Sequence, residues 1–184
     1  MSVRRRRLAT CIVSGLTFLL VSCSSSNPVA PAAPSAVPVL GHSGTYTLTI
    51  TAVEAAGPCA PSFPPAARRR VYTARVEERY ISGTHRLDVS LSGADFVSKR
   101  AGFFGIASVT GEIRFSIQDA SQDPWWPYPS EPDVVERLGD GSHLMVIGEI
   151  STTRTGGTIS GRSGVLKHSS GGECAIERFE MVRS

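Results

Sequence analysis

From residue 45 to residue 52 the chain reads Thr-Tyr-Thr-Leu-Thr-Ile-Thr-Ala, with Tyr46, Leu48, Ile50 and Ala52 on one phase and threonines on the other. Strict alternation of apolar and polar residues, many of them β-branched, is the pattern of a strand with one buried face. Tyr72, Ala74 and Val76 repeat it. Leu87, Val89 and Leu91 take it up again after Ser82-Gly83-Thr84, which predicts a hairpin. Further strands are expected around Phe104 and Ile106, at Ile113, Phe115 and Ile117, at Leu144, Val146 and Ile150, at Ile159 and Val165, and from Cys174 to Val182. Thr110-Gly111, Gly139-Asp140-Gly141, Gly156-Gly157 and Gly171-Gly172 punctuate these runs. No sustained helical period occurs after the N-terminal region. The best helical candidate is a turn or two between Pro64 and Arg70, where Pro is tolerated at a helix start.

The N-terminus is of another kind. Arg4 to Arg7 precede an apolar run from Leu8 to Val21, and Ser22-Cys23-Ser24 follows. A charged start, a short apolar core and a small residue at the cut define an export signal, and the run falls short of the roughly 20 residues of a membrane span. Leu20-Val21-Ser22-Cys23 resembles the bacterial lipobox. That resemblance implies cleavage before Cys23, diacylglycerol on its sulfur and acylation of the new amine, such as with palmitate. Ser24 after the lipidated Cys resembles an outer-membrane sorting signal of double-membrane bacteria, which places the protein in the cell envelope, facing the periplasm or the cell surface. Arg5-Arg6-Arg7-Leu8 also partly resembles a twin-arginine signal, so the export route stays open.

Processing changes the composition that matters. The chain carries 19 basic and 16 acidic residues, but four arginines leave with the signal, so 15 face 16 and the mature net charge is −1. A nucleic-acid binder needs a basic face after processing, and only Arg68-Arg69-Arg70 remains as a cluster, read as a solvated strand start or an anion or headgroup contact. Of the four cysteines, Cys11 is discarded and Cys23 lipidated, leaving Cys59 and Cys174. In an oxidising envelope such a pair forms a disulfide.

Three segments follow: a signal peptide at 1–22, a lipidated tether at 23–43 and a folded domain at 44–184. The tether is rich in Ser, Ala, Pro and Val, with Pro28, Pro31, Pro34 and Pro38, and is expected to be disordered or extended because it cannot bury enough surface to fold. For the domain the sequence predicts an all-β fold, an antiparallel up-and-down β-barrel of about eight strands, with a β-sandwich as the competing architecture. Short connections favour the barrel, as do Gly148, Gly161 and Gly164 inside strand patterns, where barrels bend. The Gly44-Thr45-Tyr46-Thr47-Leu48-Thr49 opening and the Ile159 to Gly164 stretch resemble lipocalin and avidin-type barrels. Tyr46 stands where those barrels carry the Trp of Gly-x-Trp, so no ligand residue carries over. In a closed barrel of even strand count the end of the first strand lies beside the start of the last, which brings Cys59 to Cys174. Eight strands satisfy this if Val134 to Leu138 is an approach segment to the strand starting near His143.

Chemistry is sparse. His42, His85, His143 and His168 are scattered without metal-ligand spacing, and His42 falls in the tether. Gly41-His42-Ser43-Gly44 fails as a nucleophile elbow because Thr45 occupies its last position. Asp119, Asp123, Asp133 and Asp140 do not reproduce a calcium loop. No catalytic residue, metal or cofactor is therefore expected. The one loop that resists a bland reading is Gln118 to Asp133, which holds both tryptophans and four prolines. Trp125, Trp126 and Tyr128 form either a cap packed over one barrel end or a lid at a ligand site. Two functions stay open: an anchored barrel that binds a small apolar molecule, lipid or glycan, and a non-catalytic structural or interaction module for an envelope protein. Both have the membrane as partner through the lipid anchor and exclude nucleic acid.

Overall fold

The computed structural model describes residues 39–52, 59–98, 101–117 and 133–184; Cys23 and the loop carrying Trp125, Trp126 and Tyr128 lie outside them. Ten strands follow one another: β1 (Gly44–Ala52), β2 (Arg69–Ile81), β3 (Thr84–Ser92), β4 (Gly102–Ala107), β5 (Glu112–Ile117), β6 (Val135–Arg137), β7 (His143–Thr155), β8 (Thr158–Arg162), β9 (Val165–His168) and β10 (Glu173–Arg183). A 3-10 turn, Pro65–Ala67, occupies the place expected for helix.

The ring β1-β2-β3-β4-β5-β7-β8-β10 closes on itself through β1 and β10, giving an eight-stranded antiparallel barrel. Closure leaves no strand edge in the ring. The two remaining strands are continuations. β9 follows β8, and both pair with β7 and β10, so they act as one staved strand broken at Ser163 and Gly164, both at positive φ. β6 pairs antiparallel with the start of β7, colinear with β5, and its Glu136 bridges to Phe96 on the other side. The segment expected to approach β7 is thus itself a short strand outside the ring. Gly148 sits opposite the break: a Cβ there would lie 3.1 Å from Gly164 Cα, and its φ of 112° suits glycine alone.

The alternation read from the sequence sets the faces of β1, β2 and β3. Tyr46, Leu48, Ile50, Tyr72, Ala74, Val76, Leu87, Val89 and Leu91 are all buried. β4 forms where a strand is expected around Phe104 and Ile106. Phe103, Gly105 and Ala107 face inward, while Phe104 is half-buried and Ile106 is 50% exposed on the outer wall. The cause lies across the barrel wall, where the Phe115 ring fills the space above Gly105: a Cβ at that glycine would sit 2.5 Å from Phe115 Cδ1. Phe115 cannot retreat, since its ring packs against Phe103 and Phe179 with centroids 5.3 and 5.6 Å away. Gly105→Ala is therefore expected to cost about 1–3 kcal/mol, the range for overpacking a tight core. Denaturant unfolding reads it, and an unchanged midpoint would show that the ring has room to move.

The two barrel ends differ. At one lie the tight turns after β2, β4 and β7 together with residues 39–43. At the other lie the long connections, the 3-10 turn and the cysteines. Cys59 and Cys174 are joined by a disulfide, with Cα atoms 4.1 Å apart, within the reach required of such a bond.

Candidate functional site

Three polar clusters and one groove are the places where chemistry or binding would occur. The first closes the barrel at the tight-turn end. Leu40 and His42 donate their backbone N–H groups to the Glu78 carboxylate at 2.8 and 2.9 Å, and the Tyr46 hydroxyl donates to the His42 carbonyl at 2.8 Å. Arg154 donates to the Leu40 carbonyl and Arg183 to the Ser43 carbonyl, at 2.8 and 2.7 Å. Residues 40–43 are thus a strap bonded across the barrel, and His42, expected in the tether, is 2% exposed. The folded unit begins before residue 44.

Burial, then the Arg154 guanidinium, holds the His42 imidazole below its ordinary pKa; Arg154 also donates toward His42 Nδ1 at 3.4 Å, a bond only the neutral ring accepts. For Glu78 burial works in the opposite sense and would raise the carboxyl, but the two strap N–H groups and His85, 3.1 Å away, outweigh it and leave the pKa lowered. Both groups have folded pKa values below their unfolded ones, so both take up protons on unfolding. Stability from His42 is complete above pH 6.5, its ordinary value, and is lost as pH falls through the folded value; Glu78 adds a second loss below its ordinary 4.5. Denaturant midpoints between pH 7.5 and 5.5 should fall less in His42→Gln than in the unaltered protein. Parallel curves would show that His42 does not titrate in this way.

At the disulfide end, Glu136 is 3% exposed and receives the Arg70 guanidinium through both oxygens, while the Tyr72 hydroxyl donates to Oε2 at 2.8 Å. The Glu136 hydrogen bond raises Arg70, and burial, then the Glu136 charge, pushes Tyr72 well up. The Arg70–Glu136 pair ties β6 to β2, and the raised pKa values of Arg70 and Tyr72 leave neither placed to release a proton. The pair also resolves the arginine cluster. Arg70 is paired, Arg69 faces solvent, and Arg68 Nε is buried with no hydrogen-bond partner among the described residues.

The third cluster looks catalytic at first sight: His168 Nε2 lies 2.9 Å from Ser142 Oγ. Its wiring runs the wrong way. The Ser142 hydroxyl donates its one proton to Asp140, and the Ser170 backbone N–H donates to His168 Nδ1. A nucleophile needs the reverse, with the serine proton directed to the imidazole. The Ser142 hydroxyl hydrogen bond also holds Asp140 below its ordinary pKa. These residues order the turn before β7. Among the described residues no group of three or more His, Cys, Asp or Glu is placed to hold a metal ion.

Large apolar side chains crowd the described barrel interior. Rings of Phe103, Phe115 and Phe179 meet pairwise within 5.3 to 6.0 Å, and Tyr46, Leu48, Ile50, Leu87, Ile113, Leu144, Ile150 and Ile159 are at most 1% exposed around them. A groove of about 950 Å³ lies on the outside, over the outer faces of β4, β5, β7 and β8. Phe104, Ile106, Arg114, Ser116, Arg162 and Glu177 are among its lining residues, and Arg86 stacks over Phe104 at 4.6 Å. The described residues flanking the tryptophan loop, Ile117 and Asp133, lie at the disulfide end.

Glu78 and Glu136 belong to no motif that marks them in the sequence, and His85 stands there only as one of four scattered histidines. Glu78 and His85 stand in the same alternation as the core residues of β2 and β3, two positions after Val76 and two before Leu87. Their phase alone puts them inward. Compared with protein-family models, curated proteins and solved structures, the chain finds no match.

Proposed function

We propose that this chain is an exported lipoprotein, held in the cell envelope by acyl chains on Cys23, whose barrel is a non-catalytic platform that engages envelope partners through its outer surface. The observation that carries the reading is the crowding of large apolar side chains inside the barrel. A barrel of eight strands is just wide enough to hold one small ligand or to be filled by side chains, and here the aromatic trio occupies the middle. The absence of catalysis is part of the proposal, supported by the reversed Ser142–His168 polarity. The lipobox and Ser24 support anchoring at the outer membrane.

A second reading has its own observation. The outer groove, with apolar Phe104 and Ile106 beside Arg114 and Arg162, would take a small amphiphile or glycan against the wall instead of inside it. Native mass spectrometry of Cys23→Ala protein, secreted and purified from its source, separates the two. The platform reading expects the bare chain less two hydrogens for the disulfide. A retained small molecule, lost on Ile106→Asp, would move the function to the groove.

A further inference from the structure

Six of the eight exposed large apolar side chains among the described residues gather toward the strap end: Val39, Tyr80, Ile81, Val109, and on the wall just above them Ile106 and Val182. Register makes them neighbours. Tyr80 and Ile81 pair with His85 and Thr84, and His85 pairs in turn with Ala107, so the β2–β3 and β4–β5 hairpin tips lie side by side, with Val109 in the second. The Leu40 N–H to Glu78 bond brings Val39 to the same rim, where it is 79% exposed. Single exposed apolar residues need no explanation, but a cluster on one rim does. Arg154 and Arg183 complete it. Their guanidiniums rest on the carbonyls of Leu40, Gly156, Gly41 and Ser43, and neither forms a salt bridge with a carboxylate among the described residues. Two carboxylates share this end, Glu112 at the base of the second tip and Glu78, which the strap N–H groups and His85 occupy, so the surface is apolar first and cationic second.

What would cover this rim follows from where the chain leaves it. Residues 24–38 run from Val39 back to Cys23, a reach of at most about 50 Å when fully extended at 3.1 Å per residue. We propose that the rim is a membrane-seating face. The barrel rests strap end down on the bilayer that holds its acyl chains, with Val39, Tyr80, Ile81 and Val109 in the headgroup–acyl boundary and Arg154 and Arg183 at the lipid phosphates. Interfacial binding draws on apolar burial plus attraction to anionic lipid. Four residues alone give little of the first, but the tether turns a weak encounter into an intramolecular one at high effective concentration. The disulfide end then faces away from the membrane. This inference rests on the lipid anchor proposed above.

The test is hydrogen exchange of the lipidated full chain in mixed phosphatidylethanolamine and phosphatidylglycerol vesicles, compared with Cys23→Ala protein mixed with the same vesicles. The expected result is several-fold slower exchange at residues 79–85 and 106–112 of the anchored form, with 166–174 unchanged. An Ile81→Ser, Val109→Ser variant should still sediment with the vesicles but lose that protection. If anchored protein sediments yet its tips exchange as in the soluble form, the seating face is overturned while the anchor stands. Retained protection in the double variant overturns it likewise. Failure of the unaltered protein to sediment overturns anchor and seating together. Protection that grows with protein concentration without vesicles would assign the rim to a second copy of the chain.

Discussion

Replacing Cys23 by Ala is expected to move the protein completely from the detergent phase to the aqueous phase in a phase-partition experiment. The thioether needs that sulfur, and among the described residues no helix is long and apolar enough to cross a membrane. Each buried CH₂ of an acyl chain contributes about 0.8 kcal/mol, so several chains hold where one is marginal. Persistent partitioning of the variant would show that Cys23 is not the anchor, and the outer-membrane reading based on Ser24 would fall with it.

The second large effect belongs to the disulfide. Cys59 and Cys174 are separated by 115 positions, and a cross-link over so long a loop removes about 5 kcal/mol of denatured-state entropy in the chain-entropy model. The bond also ties the segment following β1 to the start of β10, and β1 and β10 are the pair that close the barrel. The double variant Cys59→Ser, Cys174→Ser should therefore lose several kcal/mol in denaturant unfolding, and should fray first between β9 and β10. A loss below about 1 kcal/mol would show that the denatured chain is already compact around this loop.

Much of the barrel was legible because long central stretches of its first three strands obey one rule. In β1, β2 and β3 every inward position from Tyr46 to Ala52, Tyr72 to Val76 and Leu87 to Leu91 is apolar, so face and register follow from phase alone. β4 was not legible in the same way, because Phe103, Phe104 and Ile106 put apolar residues on both phases. Gly105 decided the face, and only the Phe115 ring from the neighbouring strand shows why. The break between β8 and β9 was hinted at by Gly161 and Gly164, but its position depends on the close approach of Gly148.

The candidate sites were less legible for a physical reason. Charged residues at strand ends look like solvated rims in a single sequence, and Glu78, Glu136 and Arg154 become half-buried or buried partners only when distant segments return to them. The strap is the clearest case. His42 sits among glycines and serines that read as linker, and its burial depends on Glu78 36 positions away and Arg154 112 positions away. Nothing local in the sequence announces either contact. Trp125, Trp126 and Tyr128 fall outside the described residues, so their assignment to cap or lid rests on the loop's composition alone.

The central claim, that side chains fill the barrel and leave binding to its outer surface, is tested most directly by enlarging one inward residue. Ala74 is fully buried on β2, paired with Tyr46 and Leu91. The account predicts that Ala74→Leu loses about 1–3 kcal/mol in denaturant unfolding, because a packed interior has no place for three more carbons. A variant as stable as the unaltered protein, or more so, would reveal spare volume inside the barrel and contradict it.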